Sequence, residues 1–231
     1  MARYKKYSRH VLFIKIFPER QMKSIIKYSG FSFFKKLSGV LLIITMPVGA
    51  YANAGVPMIF ISYPLMLCSL LPVIIIETII FSKITEISYE KSIRSSGISN
   101  SVSTLAGFPL AWLFLLFIEI VTTGGRCGPG FDTARNSMIT VIVEAAWICP
   151  WDEQLYWMIP SAFIISLIVA FLISILIEYL INKKIYKEYD RKVIRRATVY
   201  SNIFSYGFLL IISIAYLVNS LYKNHKLNLF G

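Results

Sequence analysis

Long apolar runs separated by short polar stretches dominate the hydrophobic pattern of this chain. Four runs, at about 57–82, 102–123, 158–182 and 198–221, reach the roughly 20 residues that a helix needs to cross a bilayer. A spanning segment must satisfy its backbone hydrogen bonds internally, so each run predicts an α-helix. The pattern therefore predicts an all-α polytopic membrane protein with four transmembrane helices and a long loop at 124–157.

The distribution of charge orients these spans. A net charge of +12 in a soluble protein would suggest a nucleic-acid partner, but here the basic residues cluster at 1–38 and 183–197, while the 124–157 loop is acidic on balance. Lys and Arg concentrate on the cytoplasmic side of membrane proteins. We therefore expect a bacterial inner-membrane protein with cytoplasmic loops at 83–101 and 183–197, an outer loop at 124–157, and no nucleic-acid partner.

A shorter apolar run at 37–50 resembles the core of a secretory signal peptide. It follows two lysines and ends in small residues at Ala52 and Ala54, which predicts cleavage before Gly55. Met22 is a candidate start, and an uncleaved signal-anchor is the alternative. The predicted organisation is a basic N-region with its signal peptide at 1–54 and a four-span domain at 55–231, with both mature termini outside.

The same polar pattern occurs in both predicted hairpins. A glutamate lies near the end of one span, and an asparagine followed three residues later by a serine opens the next. These residues are Glu77, Asn100 and Ser103 in the first hairpin, and Glu178, Asn202 and Ser205 in the second. Because an ionisable residue in lipid is costly, its recurrence in one setting predicts two parallel repeats related by an axis along the membrane normal.

Three roles remain open for Glu77 and Glu178. At 1.5 Å per residue each lies about 9 Å inside the cytoplasmic boundary, in the same leaflet as the Asn and Ser of its own hairpin. The glutamate could hydrogen-bond these partners and clamp the hairpin, reach towards the interface, or serve as an ion or proton site. Glu119, near the outer end of span two, is expected to meet Arg126 or to reach the interface.

Small residues on the spans predict close helix packing. Ser103 and Gly107 lie four residues apart on one helical face, an arrangement that lets two helix backbones approach. Span four repeats this loosely with Ser201, Ser205 and Gly207.

The outer loop contains two cysteines, Cys127 and Cys149. An oxidising compartment and an even count predict a disulfide bond between them. The apolar stretch from Asn136 to Ile148 predicts a short helix at or in the membrane surface.

The basic stretch at 183–197 is predicted to extend span three beyond the membrane as a helix. Its candidate contacts for anionic lipid headgroups lie along one helical face. These are Lys184, Lys187, Arg191 and Arg195. Cytoplasmic placement of positive charge explains the same residues without specific lipid binding.

The chain offers little for catalysis. Residues 55–231 contain one histidine, His225, none of the predicted spans contains an aspartate, and no phosphate-binding or dinucleotide fingerprint occurs. We therefore expect no enzymatic activity, no catalytic or metal-binding residues and no cofactor.

The first hairpin contains three sequence features in order. An Ile-Glu pair comes first, a basic stretch follows, and a motif of spaced Asn, Ser, Gly, Pro and Trp comes last. The motif residues are Asn100, Ser103, Gly107, Pro109 and Trp112. This arrangement resembles uncharacterised small polytopic proteins of bacterial inner membranes. One hairpin also resembles the cyanobacterial filament-integrity septal membrane proteins, over some thirty residues. The resemblance implies a non-catalytic membrane role.

Two function classes follow from the sequence. The first is a structural or assembly component that contacts a membrane-protein partner, or another copy of itself, through its helices and outer loop. The second is a small transporter or channel subunit that uses the intramembrane glutamates.

Overall fold

The computed structural model describes residues 55–230, with side chains as far as Lys226. The predicted signal peptide and the candidate start at Met22 lie outside the described residues. The elements in chain order are β1 (Val56–Pro57), α1 (Met58–Thr85), α2 (Tyr89–Val102), a π-helix (Ser103–Gly107), α3 (Phe108–Thr123), α4 (Ala134–Val143), β2 (Trp147–Ile148), α5 (Leu155–Ile185) and α6 (Arg191–Phe230).

Four helical segments of the described chain are long and apolar enough to cross a membrane. They cover Met58–Thr85, Tyr89–Thr123, Leu155–Ile185 and Arg191–Lys226. The second is continuous through α2, the π-helix and α3. The prediction of an all-α polytopic membrane fold is confirmed, and each helix extends beyond its predicted span by several residues.

The predicted cytoplasmic loops are mostly helical, which corrects the sequence interpretation. In the 83–101 region only residues 86–88 form a turn, where Glu86 adopts a left-handed conformation with φ 58°. The 183–197 region shrinks to a turn at 186–190. Helix α2 shows no apolar stripe because serines form its buried face: Ser92, Ser95, Ser96 and Ser99. Its burial therefore could not be predicted from hydrophobic periodicity.

The spans form a bundle in which α1 and α5 run in the same direction. Both helices start beside the outer module and end together, where Phe81 of α1 packs against Tyr186 with ring centroids 5.6 Å apart. One apolar cluster fills the middle of the bundle and another fills the end near the turns. The first contains Met66, Val73, Phe108, Ala111, Leu167, Ala170 and Leu209; the second contains Phe81, Ile87, Tyr186, Ile194 and Ala197.

The 124–157 loop, for which the sequence predicts the outer side, folds into a small module at residues 124–154, which we call the outer module after that prediction. The predicted disulfide is confirmed, with Cys127 and Cys149 joined at a Cα–Cα distance of 5.8 Å. Strand β2 pairs antiparallel with β1, and the Trp112 indole N–H donates to the Ala146 carbonyl (2.9 Å). The predicted helix at Asn136–Ile148 is shorter than expected. It occupies Ala134–Val143, because Thr133 caps its start and the chain then turns into β2.

Large apolar side chains cover the outside of the bundle. Leu71, Leu172 and Ile211 are each more than 60% exposed within the protein. Such a surface is unfavourable in water and matches the hydrocarbon core of a bilayer. The protein is therefore an integral membrane protein whose helices contact lipid.

A buried carboxyl pair in the helix bundle

Glu77 and Glu178 lie in the interior of the bundle, between its two apolar clusters. Glu77 is 2% exposed and Glu178 is 1% exposed. The apolar cluster near the turns begins one helical turn after Glu77, at Phe81, and about two turns after Glu178, at Tyr186, so it separates both glutamates from solvent. The helix C-terminal to Glu77 continues for eight residues, about 12 Å. Of the three roles left open by the sequence, snorkelling to the interface does not match this burial.

The side-chain partners of Glu77 come from both hairpins. Asn100 donates its Nδ2–H to Oε2 (2.6 Å), and the Ser205 hydroxyl lies 2.6 Å from Oε1. The same Asn100 amide nitrogen also donates to the Ser96 carbonyl at 3.0 Å, which fixes the orientation of the amide. One carboxyl group thus connects α1 to α2 and to α6.

Glu178 makes the matching contacts, with the asparagine of its own hairpin and with the serine of the other hairpin. Asn202 donates to Oε2 (2.8 Å) and the Ser103 hydroxyl lies 2.8 Å from Oε1. The Asn202 amide nitrogen also donates to the Thr198 carbonyl at 3.1 Å. Glu178 therefore connects α5 to α6 and to the start of the π-helix.

The serine contacts correct the expected clamp. Each asparagine bonds the glutamate of its own hairpin, but each serine bonds the glutamate of the other hairpin. The physical reason is helical geometry. A residue three positions after an asparagine is rotated about 60° around the helix and 4.5 Å along it, which turns Ser103 towards α5 and Ser205 towards α1. The network therefore joins the two hairpins as well as the helices within each.

The serine hydroxyls can reverse their hydrogen bonds. Ser103 lies 3.1 Å from the Asn100 carbonyl, and Ser205 lies 3.2 Å from the Asn202 carbonyl, in addition to the carboxyl contacts. A hydroxyl has one hydrogen, so it can donate to the carboxyl oxygen, or donate to the backbone and accept from the carboxyl. The contact between each serine and its glutamate is therefore possible with a carboxylate or with a protonated carboxyl.

Two buried amide oxygens complete the polar interior. The Oδ1 atoms of Asn182 and Asn202 have no hydrogen-bond partner among the described residues. Asn182 donates its Nδ2–H to the Thr198 hydroxyl (3.2 Å), one turn from the carboxyl pair. A buried acceptor without a partner costs free energy, so these two amide oxygens lower the stability of the bundle.

The π-helix begins at Ser103. Pro109 has no backbone N–H to donate to the Leu105 carbonyl four residues earlier, and its ring crowds that carbonyl, so the helix widens in this turn. Gly107 ends the π-helix where the helix meets α5. A Cβ atom added there would lie 3.0 Å from Ile177 Cδ1 and 3.4 Å from Ile173 Cγ2. The predicted close packing at Gly107 is present, whereas a Cβ at Gly207 would meet no atom within 4 Å.

Tyr186 joins the hairpins at the end of the bundle near the turns. Its hydroxyl lies 2.8 Å from Ser95 Oγ and 3.0 Å from the Lys91 carbonyl. Burial raises the pKa of the Tyr186 hydroxyl, so it remains a neutral donor. No motif or periodicity in the sequence singles out Tyr186.

Another buried carboxyl group, that of Glu144, lies in the outer module. Its Oε1 accepts from the Gly128 N–H (2.6 Å), its Oε2 accepts from the Cys149 N–H (3.0 Å), and the Trp151 indole N–H reaches both oxygens. Glu144 is fully buried. Cys127 and Cys149 lie beside it, but both are in the disulfide and so are not free as metal ligands. Sequence reasoning missed Glu144, because an acidic residue in a polar loop is ordinarily exposed.

Glu119 is also placed differently from the sequence expectation. It is buried and hydrogen-bonds the Trp147 backbone, and no ion pair joins it to Arg126 among the described residues. Folding of the outer module over the end of α3 explains its burial.

The expected basic helical face is interrupted. Helix α5 ends at Ile185, and Asp190 caps the start of α6 by accepting the Lys192 backbone N–H (2.9 Å). Lys184 therefore lies on α5, Lys187 in the turn, and Arg191 and Arg195 on α6. The turn brings Lys184, Lys187 and Arg191 to one cleft together with Lys183, and Arg195 does not line it.

The fold and the buried carboxyl pair define a polytopic α-helical membrane protein with a polar bundle interior and a disulfide-bonded outer module. Comparison of the chain with protein-family models, with curated proteins and with solved structures gave no match.

Proposed function

We propose that this protein is a non-enzymatic structural or assembly component of the bacterial inner membrane. The observation that carries the proposal is the crossed hydrogen bonding of Glu77 and Glu178. All four carboxyl oxygens have an amide or hydroxyl partner within the bundle. The most distinctive polar groups of the spans are therefore used to hold the two hairpins together. The matching contacts in both hairpins also support the duplication inferred from the sequence.

The outer module supplies the contact surface in this proposal. Met138 and Ile142 of α4 are exposed, 67% and 46% respectively, on a module held by a disulfide and by Glu144. A rigid base that presents apolar side chains suits association with another membrane protein or with a second copy.

Purification in a mild detergent, followed by mass spectrometry and mass determination of the intact complex, tests this role. Met138→Ser with Ile142→Ser is expected to release a stoichiometric partner or to dissociate a homo-oligomer. Arg135→Ser on the same helix is the control, because Arg135 is exposed and polar. If the protein is isolated as a monomer without partners, or if both variants retain the same complex, the outer module does not have this role.

A specific observation favours a second candidate, a proton-coupled transporter or channel subunit. Both carboxyl groups are buried in the bundle, and the serine hydroxyls that contact them can accommodate either protonation state. Proteoliposomes with internal pH dyes test this candidate. Proton flux that Glu77→Gln and Glu178→Gln abolish, with expression and assembly unchanged, would replace the structural proposal.

A further inference from the structure

A basic cleft lies where α5 turns into α6, separate from the carboxyl pair. Its volume is about 370 Å³. Its lining residues are Leu180, Lys183, Lys184, Tyr186, Lys187, Tyr189, Arg191 and Ile194. Four of these are cationic, and none of the described residues that line the cleft is acidic. The volume falls within the range of small-molecule sites, roughly 300–1,000 Å³.

The walls of the cleft are fixed on one side and adaptable on the other. Tyr186 and Ile194 are buried in the apolar cluster near the turns and form a rigid floor. Lys184, Lys187 and Arg191 are exposed, so their charged ends are free to converge on an anion. Lys183 extends over the Tyr179 ring at 6.0 Å from its centroid. Several cations around one cavity match the charge and the multiple acceptors of a phosphate group.

The cleft opens onto the lipid-facing surface of α5. Leu172, Leu176 and Leu180 are exposed at successive four-residue intervals, and Lys184 follows at the next interval. Residues four apart lie on one helical face, so an apolar stripe leads along the span directly into the basic cleft. Lys184 is one residue before the end of the spanning helix, where the length of the helix predicts the lipid headgroups.

We propose that this cleft binds the phosphate group of an anionic phospholipid, whose acyl chain lies along the leucine stripe of α5. Lys184, Lys187 and Arg191 would contact the phosphate, and Leu176 and Leu180 the chain. This site differs from a general positive-inside charge pattern because it uses only some of the basic residues in the 183–197 stretch. Lys192, Arg195 and Arg196 are exposed on α6 but do not line the cleft.

These two groups of three cations allow a charge-matched test. The full chain is purified in detergent, and binding of phosphatidylglycerol and phosphatidylcholine is measured by native mass spectrometry and by thermal shift. For Lys184→Gln, Lys187→Gln and Arg191→Gln together, we expect phosphatidylglycerol binding to weaken about a hundredfold, since three basic residues near the membrane surface lose their charge. The control with Lys192→Gln, Arg195→Gln and Arg196→Gln should bind like the unaltered protein.

Three results would overturn the proposal. Equal weakening in both triple variants would show attraction to charge alone. Equal binding of the two lipids by the unaltered protein would exclude headgroup recognition. Stabilisation by millimolar inorganic phosphate, but not by phosphatidylglycerol, would assign the cleft to a soluble phosphate and not to a lipid.

A photoactivatable phosphatidylglycerol keeps the test independent of variant folding. Irradiation of the unaltered protein in vesicles should place the label on peptides covering residues 176–191. Label spread evenly over all four spans would contradict a specific site.

Discussion

The buried carboxyl pair of the bundle and the buried Glu144 of the outer module have partners of different kinds. In the bundle, Glu77 and Glu178 each contact one amide N–H and one serine hydroxyl, and a hydroxyl can donate or accept. In the outer module, Glu144 contacts only N–H groups, which cannot accept. The bundle site therefore tolerates a proton or an amide in place of a carboxylate oxygen, whereas the outer site requires two acceptors.

The largest effect is expected from removal of the disulfide in the outer module. Cys127→Ser with Cys149→Ser opens a loop with a sequence separation of 22, which should cost about 3 kcal/mol. We expect faster hydrogen exchange at residues 124–154 with little change at the carboxyl pair, measured by mass spectrometry. Cys68→Ser is the control, since Cys68 is free and exposed. Equal loss of protection throughout the bundle would mean that the module does not unfold separately.

Glu144→Gln should destabilise the outer module by about 2 kcal/mol. The new NH₂ group must face a backbone or indole N–H, which leaves a buried donor without an acceptor. Denaturation followed by Trp fluorescence measures the change, because Trp151 contacts Glu144 directly. Glu153→Gln, at an exposed position, should have no effect. A stability of Glu144→Gln equal to that of the control would contradict the requirement for two acceptors.

Glu77→Gln should cost less, about 1 kcal/mol or below, because the amide can donate to Ser205 while Ser205 donates to the Asn202 carbonyl. Adding Ser205→Ala removes that acceptor, so a double-mutant cycle should give a measurable coupling between Glu77 and Ser205. The matched cycle pairs Glu77→Gln with Ser103→Ala, whose serine contacts Glu178. Stronger coupling to Ser103 than to Ser205 would contradict the crossed network.

Sequence reasoning predicted which residues form the bundle site better than which of them bond each other. Glu77 and Asn100 are recognisable as a pair because both are polar residues at the same depth of one hairpin. The crossing of Ser103 to Glu178 depends on how the hairpins dock, which local spacing does not determine. Glu144 could not be selected either, because its burial results from the disulfide and the β1–β2 pair closing around it.

The basic cleft illustrates the same limit. A continuous helix would have placed Lys184, Lys187, Arg191 and Arg195 on one face. Because the chain turns at 186–190 instead, Lys183 lines the cleft and Arg195 does not. The turn depends on the capping of α6 by Asp190 and on the burial of Tyr186, and neither forms a strong hydrophobic pattern. The charges were therefore predictable as a group, but the residues that converge were not.

The smallest expected effects come from alanine substitutions at two glycines of the bundle. Gly107→Ala brings a Cβ to 3.0 Å from Ile177 Cδ1, and overpacking of this kind costs about 1–3 kcal/mol, partly offset by about 1 kcal/mol of improved helix propensity. Gly207→Ala meets no atom within 4 Å, so only the favourable propensity remains. We expect Gly107→Ala to lower the thermal unfolding temperature slightly and Gly207→Ala to leave it equal or raise it.

Because Ser103 lies one turn before Gly107, displacement of the π-helix from α5 should also lengthen the Ser103–Glu178 hydrogen bond. Adding Ser103→Ala to Gly107→Ala should therefore cost less than Ser103→Ala does alone, whereas adding it to Gly207→Ala should cost the same. Equal costs in both backgrounds would show that the close approach at Gly107 is independent of the carboxyl network.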